Sequence, residues 1–284
     1  TARPGPYPMN VPPLPSLLCD LVVVEAPSAE GFIAVISINR PEKLNALNAE
    51  VRQSLCNLAE WVDREPTIRL ILFRGAAPLK PEGGKRAKPK AFIAGADINE
   101  FLGRGAIETR TAMRNPAAFE AVWNIRKPTI AMIDGYCLGG GCELAMACDI
   151  RTASPESEIG QPEIKLGVIP GGGGTQRLPT LVGYGKAMEL ILTGESVTAE
   201  EALRIGILNH VFPKKSLFES TMMIAQTIAS RSLATLEIAK RAVRAAAEVG
   251  LTAGVEREAE LFALAFSTED KELGVKAFLE GSDP

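Results

Sequence analysis

Two carboxylates and two runs of glycine are the residues of this chain whose types and spacing best suit catalysis. Three glycines, 139–141, lead into Glu143 and an apolar segment, and Glu163 lies in a later loop before another glycine run, 171–174. Glycine lets a ligand approach the backbone closely, and the first N–H groups of a helix have no acceptor within it. We therefore predict a backbone site for an oxygen that becomes negative, with two carboxylates beside it for proton transfer.

The same residue types permit a structural interpretation, in which Glu143 caps a helix and Glu163 is a solvated loop charge. Residue types alone leave both interpretations open. The sequence matches the phosphate-binding motifs of nucleotide-binding proteins less well, because Leu144 breaks the G-x-G-x-x-G pattern. The P-loop pattern also fails in TLVGYGK, where Thr180 replaces the first glycine and Ala187 follows the lysine.

A third segment, KAFIAGADINEF at residues 90–101, supplies further backbone for such a site. Its apolar start leads into three small residues, 94–96, which leave the backbone open where a helix is expected to begin at Asp97. The N–H groups of this segment are predicted to complete a two-donor oxyanion hole with those of the glycines at 139–141.

Composition limits the classes of function. The 284 residues are 46% hydrophobic and 23% charged, with a formal net charge of -3. That balance gives no general attraction to nucleic acid or to membrane surfaces. The longest apolar runs fall far short of the roughly 20 residues that a membrane-spanning helix needs. We therefore predict a soluble protein.

The cysteines and the histidine point away from disulfide and metal chemistry. The five cysteines, 19, 56, 137, 142 and 148, form no C-x-x-C pair. They are predicted to be small buried thiols in a reducing compartment, such as the cytoplasm or the mitochondrial matrix. The single histidine, His210, lies in an apolar stretch and is expected at a strand edge or in the core. A histidine-based triad and a metal site are therefore not predicted.

The first part of the chain has the pattern of a strand-and-helix core behind a proline-rich start, 1–19, which is expected to be a flexible or surface-draped lead-in. The predicted elements are a strand at 21–26, a turn at 28–31, a strand at 32–40, a helix at 48–65 capped by Asn48 and a strand at 68–75. A strand, a helix and a strand in this order predict a parallel pair with a crossover helix.

A second strand-and-helix unit and a helical last third follow a basic loop at 76–90. Strands are predicted at 129–135 and 149–154, on either side of a helix that starts at the glycines. After about Pro170, apolar spacing predicts helices at 188–194, 198–206, 216–231, 233–249 and 253–266. We divide the chain into the lead-in at 1–19, a core at 20–213 and a C-terminal helical region at 214–284.

Five segments together resemble the crotonase (enoyl-CoA hydratase/isomerase) superfamily, and within it the enoyl-CoA hydratases. In the family's order they are NRPEKLNALN (39–48), AFIAGADINEF (91–101), KPTIAMIDGYCLGGGCELAMACDIRTAS (127–154), GQPEIKLGVIPGGGGTQRLPTLVG (160–183) and LTGESVTAEEALRIGILNHVFP (192–213). The resemblance extends from about residue 20 to about residue 280, and its combination of glycines and glutamates is highly specific.

The resemblance implies a fold, a ligand and a reaction. The fold would be α/β, a crotonase-type spiral of ββα units with a C-terminal helical region that mediates trimerisation, and such hydratases are usually hexamers, dimers of trimers. The ligand would be an acyl-CoA thioester, with coenzyme A as part of the substrate and no separate cofactor. The reaction would be reversible addition of water across the 2,3 double bond of trans-2-enoyl-CoA, in fatty acid β-oxidation or related acyl-CoA degradation.

The resemblance also implies roles for individual residues. The backbone N–H groups of Ala96 and Gly140 would bind the thioester oxygen. Glu143 would activate the attacking water at C3, Glu163 would protonate C2, and Gln161 would contact these groups rather than the substrate. The residues expected to line the coenzyme A site are Lys43, Leu44, Ala46, Ala94, Asp97 and Ile98, with Gly171 and Gly172 shaping the pocket by Glu163.

Two features depart from the family pattern. The basic loop at 76–90 is longer than the usual connection, and its lysines are expected either to meet the coenzyme A phosphates or to be solvated. The ending AFLEGSDP differs from the family's F-x-E-K-R-x-P style, which leaves a contact from the tail to coenzyme A open. The acyl pocket is expected around 104–124, with Phe119, Val122 and Trp123 nearby, and acyl length and branching stay open.

Isomerisation and RNA binding are the alternatives to hydration. Isomerases of the superfamily generally keep the second glutamate and lack the first, so the presence of both Glu143 and Glu163 favours a hydratase, of fatty acid, branched-chain or aromatic-acid degradation. One hydratase-like relative binds AU-rich RNA through a lysine-rich helix. The basic loop here contains Pro81 and Pro89 and lacks aromatic residues for base stacking, so nucleic-acid binding is not favoured.

Overall fold

The computed structural model describes residues 22–25, 32–80, 88–114 and 117–282. The strands are β1 (Val22–Glu25), β2 (Phe32–Ile38), β3 (Ile68–Gly75), β4 (Ala91–Ile93), β5 (Thr129–Ile133), β6 (Tyr136–Leu138), β7 (Ile150–Ala153), β8 (Glu158–Gly160), β9 (Val197–Thr198) and β10 (His210–Val211). The helices are α1 (Ala49–Arg64), α2 (Ala106–Arg114), α3 (Ala118–Trp123), α4 (Gly140–Ala147), α5 (Gly174–Val182), α6 (Tyr184–Thr193), α7 (Ala199–Arg204), α8 (Leu217–Ala229), α9 (Leu233–Glu248), α10 (Leu251–Ala265) and α11 (Glu269–Glu280). Short 3-10 helices lie at Pro41–Lys43, Ile98–Phe101 and Pro162–Leu166.

The larger sheet has the strand order β1-β2-β3-β5-β7-β10. β1 pairs antiparallel with β2, as the sequence predicts, and the predicted turn at 28–31 lies outside the described residues. The other neighbouring pairs in this sheet are parallel. Parallel neighbours need a crossover connection, and α1 supplies the one between β2 and β3. The predicted strand, helix and strand unit is therefore confirmed.

The inner strands β2, β3 and β5 of the larger sheet are apolar at almost every position and are buried on both faces. In β2, Ile36 and Ile38 belong to one core cluster. Ile33 and Val35 belong to a second cluster on the other face, together with Met222 of α8. A continuous apolar run such as FIAVISI is typical of strands that helices cover on both sides.

The helix α1 shows how local signals set the bounds of an element. The Asn48 side chain accepts the N–H of Val51 at 2.9 Å, which satisfies one of the free donors at the helix start. The side chains at helical spacing along its apolar face are all fully buried: Val51, Leu55, Leu58 and Val62. The predicted helix and its cap are confirmed.

The smaller sheet, in the order β4-β6-β8-β9, positions the segments that the sequence singles out. β4, β6 and β8 are parallel neighbours, and β9 is antiparallel to β8. The carboxyl ends of parallel strands lie at the same edge of a sheet. β4 leads to Ala96, β6 to the glycines at 139–141, and β8 to Gln161 and Glu163. One sheet edge thus brings the three segments together.

The last third of the described chain is helical, as the sequence predicts, but the helices α5 and α11 lack a prediction, and so do the short strands β4, β6, β8 and β9. α5 begins in the second glycine run and contains Pro179, which hides its helical pattern. α11 begins after Thr268, whose side chain accepts the N–H of Lys271. β8 and β9 have three and two residues and are too short for a periodic signal. The boundaries at residues 19 and 213 stay predictions.

Several smaller predictions concern cysteine, histidine and membrane helices. Cys56, Cys137, Cys142 and Cys148 are unpaired and the last three are buried, whereas Cys19 lies outside the described residues. His210 is exposed on the edge strand β10, which confirms the strand-edge alternative. Across the described ranges, no helix combines the length and the apolar character needed to cross a membrane.

The first test concerns the packing of α4 against β4. A Cβ added to Gly141 would lie 2.1 Å from the Ile93 carbonyl oxygen and 2.8 Å from its Cβ. Because the β4 backbone at Ile93 cannot move aside without disturbing its packing, we expect Gly141→Ala to lower the free energy of unfolding by roughly 1–3 kcal/mol in urea denaturation. The control is Gly274→Ala in α11, where a Cβ meets nothing within 4 Å and alanine favours the helix. Unchanged stability of Gly141→Ala would refute this close packing.

Candidate active site

Glu143 is buried in the first turn of α4, where the second glycine run binds its carboxylate. The residue is 3% exposed. Its Oε1 accepts the N–H of Gly172 at 2.7 Å and the N–H of Gly174 at 2.8 Å. Gly174 is the first residue of α5, so the carboxylate lies at the positive end of that helix. The structural alternative from the sequence is confirmed in one part, because the Glu143 carboxylate caps the start of a helix, α5, while Glu143 itself lies in the first turn of α4.

Opposing effects set the proton affinity of Glu143. Burial raises its pKa, and the charge of Glu120 acts in the same direction. The two glycine N–H groups and the charge of Arg177 lower the pKa, but burial is the largest effect. The carboxyl group therefore binds a proton more tightly than an exposed glutamate does.

Glu163 lies in the 3-10 helix Pro162–Leu166, and its carboxylate contacts the first glycine run. A Cβ added to Gly139 would lie only 2.9 Å from Glu163 Oε1, so the side chain lies against the backbone just before α4. Burial raises the pKa of Glu163 to about 7, and the charge of Glu143 acts in the same direction. The two predicted carboxylates therefore lie close enough to interact, and Glu163 is not a solvated loop charge.

Gln161 connects the surroundings of the two carboxylates. It is 1% exposed. In the amide orientation that suits its neighbours, its nitrogen donates to both Glu163 oxygens, at 3.0 and 3.1 Å. A Cβ added to Gly174 would lie 2.8 Å from the Gln161 amide and 3.0 Å from Glu143 Oε1. Gln161 thus contacts Glu163 directly and lies beside the donor to Glu143.

The two predicted oxyanion donors are adjacent. Leu47 donates its N–H to the Gly95 carbonyl and accepts the N–H of Asp97, both at 2.9 Å. The N–H of Ala96, between these partners, therefore faces away from Leu47. A Cβ added to Gly140 would lie 3.5 Å from the Ala96 nitrogen. Gly140 is the first residue of α4, so its N–H has no acceptor within that helix.

The segment predicted to contact coenzyme A is bonded to the chain that follows β4. Ala94 donates its N–H to the Leu44 carbonyl at 3.1 Å. Arg40 donates to the Ala46 carbonyl at 2.6 Å and forms an ion pair with Asp97 at 3.0 Å. Hydrogen bonds from Asn99 and Arg40 lower the pKa of Asp97, and the bond from Asn99 has the larger effect. These bonds hold residues 40–47 beside residues 94–97.

The surface formed by these two segments is open to a ligand. Lys43 and Ile98 are exposed, and Leu44, Ala46, Ala94 and Asp97 are partly exposed. Asn45 fixes the segment 40–47 to the protein interior. It is 1% exposed, and its side chain donates to the carbonyl oxygens of Ala91 at 2.8 Å and Ala76 at 3.0 Å. The role of these residues in binding coenzyme A stays a prediction.

The second glycine run also contacts the segment predicted to form the acyl pocket. Gly172 is predicted to lie beside Glu163, and in the structure the N–H of Gly172 donates to Glu143. A Cβ added to Gly172 would lie 2.5 Å from the Phe119 ring, and one added to Gly171 would lie 3.3 Å from Met113. Residues of α2 and α3 therefore pack against the glycines beside the carboxylates.

Two of the residues named for the acyl pocket have other surroundings. Val122 is 0% exposed and belongs to the core cluster that contains α1, so it has no free surface for an acyl chain. The Trp123 ring lies 4.9 Å from the Arg177 guanidinium and 4.4 Å from that of Arg244. Phe119 is also largely buried, at 5%, but it lies against the glycine run beside the carboxylates, as Met113 does.

The basic loop is described only in part. Its basic residues are Lys80, Lys85, Arg86, Lys88 and Lys90. Lys88 donates to the Glu42 carbonyl, Lys90 forms an ion pair with Asp134, and Lys80 is exposed. Lys85 and Arg86 lie outside the described residues. The expected phosphate contacts of this loop stay a prediction.

Sequence reasoning misses two contributors to the site, Gly174 and Arg177. Gly174 binds Glu143 through its backbone, and Arg177 donates to the Gly172 carbonyl at 2.9 Å. The available signal was the second glycine run, which resembles the first in leading directly into a helix. Recognising α5 would have placed both residues in its first turn.

Comparison with known proteins agrees with this geometry. A family model described as Enoyl-CoA hydratase/isomerase matches residues 28–284. A probable enoyl-CoA hydratase of Mycobacterium bovis is 42% identical over 256 residues, which cover 89% of this chain and 93% of the relative. A short-chain-enoyl-CoA hydratase of Clostridium acetobutylicum is 38% identical over 252 residues, which cover 88% and 92%.

Solved structures give the same result for the fold. The crystal structure of an enoyl-CoA hydratase from Bacillus anthracis aligns with a TM-score of 0.81 and 35% identity, covering 93% of this chain and 97% of that one. From the family match over most of its length and from this shared α/β fold, the chain belongs to the enoyl-CoA hydratase/isomerase family of crotonase-fold proteins.

Proposed function

We propose that this chain is an enoyl-CoA hydratase, which adds water reversibly across the 2,3 double bond of a trans-2-enoyl-CoA thioester to give a 3-hydroxyacyl-CoA. The observation that carries the proposal is that Glu163 lies against the first glycine run, where Gly140 is adjacent to the Ala96 nitrogen and begins the helix that carries Glu143. The names of the relatives from M. bovis and C. acetobutylicum, both enoyl-CoA hydratases, support it.

The backbone nitrogens would stabilise the charge that develops on the substrate. Addition of water at C3 moves the π electrons toward C2 and the thioester oxygen, which becomes enolate-like. The N–H groups of Ala96 and Gly140 would donate to this oxygen, and one well-placed donor typically contributes about 3 kcal/mol. Backbone donors keep their protons at every pH of interest, so this stabilisation does not titrate.

The two carboxylates would divide the proton transfers. Glu143 accepts both glycine N–H groups on Oε1, which leaves Oε2 to bind and deprotonate the water that forms the new bond to C3. Glu163 would give its proton to C2 as the enolate collapses. One proton is taken up and one released, so the pair is restored by proton exchange between the carboxylates or with solvent. Hydration changes no overall oxidation state, so the reaction needs no redox cofactor.

The environments of the two groups support this assignment. At Glu143, two backbone N–H groups and the charge of Arg177 lower the pKa and so oppose part of the rise that burial causes. Burial raises the pKa of Glu163 to about 7, so a large fraction carries a proton near neutral pH. A base and an acid with different surroundings are what hydration requires.

Exposed surfaces of the described chain indicate where coenzyme A and another copy of the chain would bind. The pantetheine and adenine groups of coenzyme A would lie along the exposed surface formed by 40–47 and 94–98, and Met113 and Phe119 would face the acyl group. A homotrimer or hexamer is proposed through the C-terminal helices, whose exposed apolar side chains include Phe262, Phe278 and Leu279, at 65%, 83% and 78%. Apolar surface of this kind usually marks a contact with another chain.

The direct test replaces each carboxylate by an amide of the same shape. We expect Glu143→Gln and Glu163→Gln each to lower the hydration of crotonyl-CoA by roughly 100-fold or more, measured by the loss of its ultraviolet absorbance. Glu260→Gln, on the exposed face of α10, is the matched control and should keep full activity. Near-normal turnover of either active-site variant would refute the two-carboxylate mechanism.

A second test removes one oxyanion donor. Gly140→Pro deletes the N–H, while proline fits the first position of a helix, so we expect α4 to form and hydration to fall by roughly 100-fold or more. Tyr184→Pro is the matched control, because Tyr184 is the exposed first residue of α6 and also follows a glycine with positive φ. Circular dichroism checks both folds, and an active, folded Gly140→Pro would exclude this donor.

A third test uses stability rather than activity. The pKa of Glu163 is about 7 in the folded chain against an ordinary 4.5, so between these values the folded state binds more protons than the unfolded state. The contribution of this group to stability is therefore full below about pH 4.5 and is lost as the pH rises to about 7.

Glu163→Gln removes that titration. We expect the unfolding free energy of the variant, relative to wild type, to increase between about pH 4.5 and about pH 7 and then to level off, as measured by urea denaturation. Glu260→Gln again serves as the control. If the wild type and Glu163→Gln change with pH in parallel, the carboxyl group does not have the raised pKa.

A further inference from the structure

We infer that Arg177 is a positioning residue for Glu143, because it binds the backbone of the glycine run that holds the Glu143 carboxylate. This inference rests on the catalytic role proposed above for Glu143. Arg177 Nη1 donates to the Gly172 carbonyl at 2.9 Å, and the N–H of the same glycine donates to Glu143 Oε1 at 2.7 Å. One residue of the loop thus joins the guanidinium to the carboxylate.

The glycine run needs such a restraint. A polyglycine segment has little intrinsic preference for one backbone conformation and loses much entropy when it is fixed. Gly173 has φ +100, and a Cβ added there would lie 2.2 Å from Arg177 Nη1, so the guanidinium lies directly against the loop backbone. With the Gly172 carbonyl fixed, the N–H groups of Gly172 and Gly174 keep their convergence on one oxygen of Glu143.

The guanidinium is itself held in place from two other helices. It lies 4.9 Å from the centre of the Trp123 ring of α3, and the guanidinium of Arg244 in α9 lies 4.4 Å from the same ring. Arg244 also donates to Asp149 at 3.0 Å. Arginine can stack on an aromatic ring and donate in a fixed direction at once, which the ammonium of lysine cannot do. The Arg177 side chain is therefore ordered before any substrate binds.

Removal of the Arg177 charge should change the pKa of Glu143, which a loss of packing contacts alone would not do. The charges that shift the pKa of Glu143 are those of Arg177 from α5 and Glu120 from α3. Glu163 in the 3-10 helix is near enough for the charge of Glu143 to raise the pKa of Glu163. The charge of Arg177 lowers the pKa of Glu143 and the charge of Glu120 raises it. Removal of the Arg177 charge should therefore leave the base protonated to a higher pH.

The experiment measures crotonyl-CoA hydration by Arg177→Met and Arg177→Lys as a function of pH. For Arg177→Met we expect kcat to fall roughly 10- to 100-fold with a much smaller change in KM, because a misplaced catalytic group affects the chemical step. The acidic limb of the profile should move to higher pH, and by less in Arg177→Lys, which keeps the charge. Arg204→Met, at an arginine whose side chain is 70% exposed on α7, is the matched control and should change neither quantity.

A double variant separates positioning from general structural damage. In a Glu143→Gln background, Arg177→Met should add no further loss, because no carboxylate remains to be positioned. An equal loss in both backgrounds, or an unmoved acidic limb, would overturn the inference. If Arg177→Met does not fold, Arg177→Lys is carried through the same comparison with the same criteria. Full activity of Glu143→Gln would instead refute the proposed catalytic role of Glu143, and absence of hydration by the folded wild type would refute the proposed function, so these failures are distinguishable.

Discussion

The capture of the Glu143 carboxylate by two backbone N–H groups is the constraint on which the rest of the site depends. A carboxylate that is 3% exposed needs hydrogen-bond donors, because an unpaired buried charge is strongly destabilising. The donors are Gly172 and Gly174, so the start of α4 and the start of α5 cannot move independently. The interaction thereby fixes the first glycine run, the second glycine run and the carboxylate in one geometry.

The glycines in both runs are required because neighbouring atoms leave no room for a side chain, and not because the backbone must be flexible. Gly141 allows α4 to approach the backbone of β4, Gly139 lies against Glu163, and Gly174 has Gln161 and Glu143 within 3.0 Å of where a Cβ would be. Each position thus brings backbone into contact with a side chain of the proposed site or with the strand that leads to Ala96, a proposed oxyanion donor. A side chain at any of them would displace what the site requires.

Elements with a long or regular hydrophobic pattern were predictable from the sequence, and short ones were not. The buried face of α1 and the continuous apolar run of β2 each repeat over several residues, so periodicity identifies them. β8 has three residues, yet it carries Gln161 and Glu163 to the site. Residue types indicated both carboxylates and the resemblance to a family assigned their roles, but Arg177 lies in a helix that a glycine start and an internal proline concealed.

A reversible hydration sets the same demand on both carboxylates, because the group that takes a proton in one direction must give it back in the other. A carboxyl group with an ordinary pKa near 4 is a poor proton donor at neutral pH, since it is almost fully ionised. Burial raises the pKa of both Glu143 and Glu163 and so brings them toward the working pH. The glycine N–H groups and Arg177 oppose this rise at Glu143 alone, which keeps the two groups distinct. The fold therefore uses one buried pocket to raise both proton affinities and one loop to separate them.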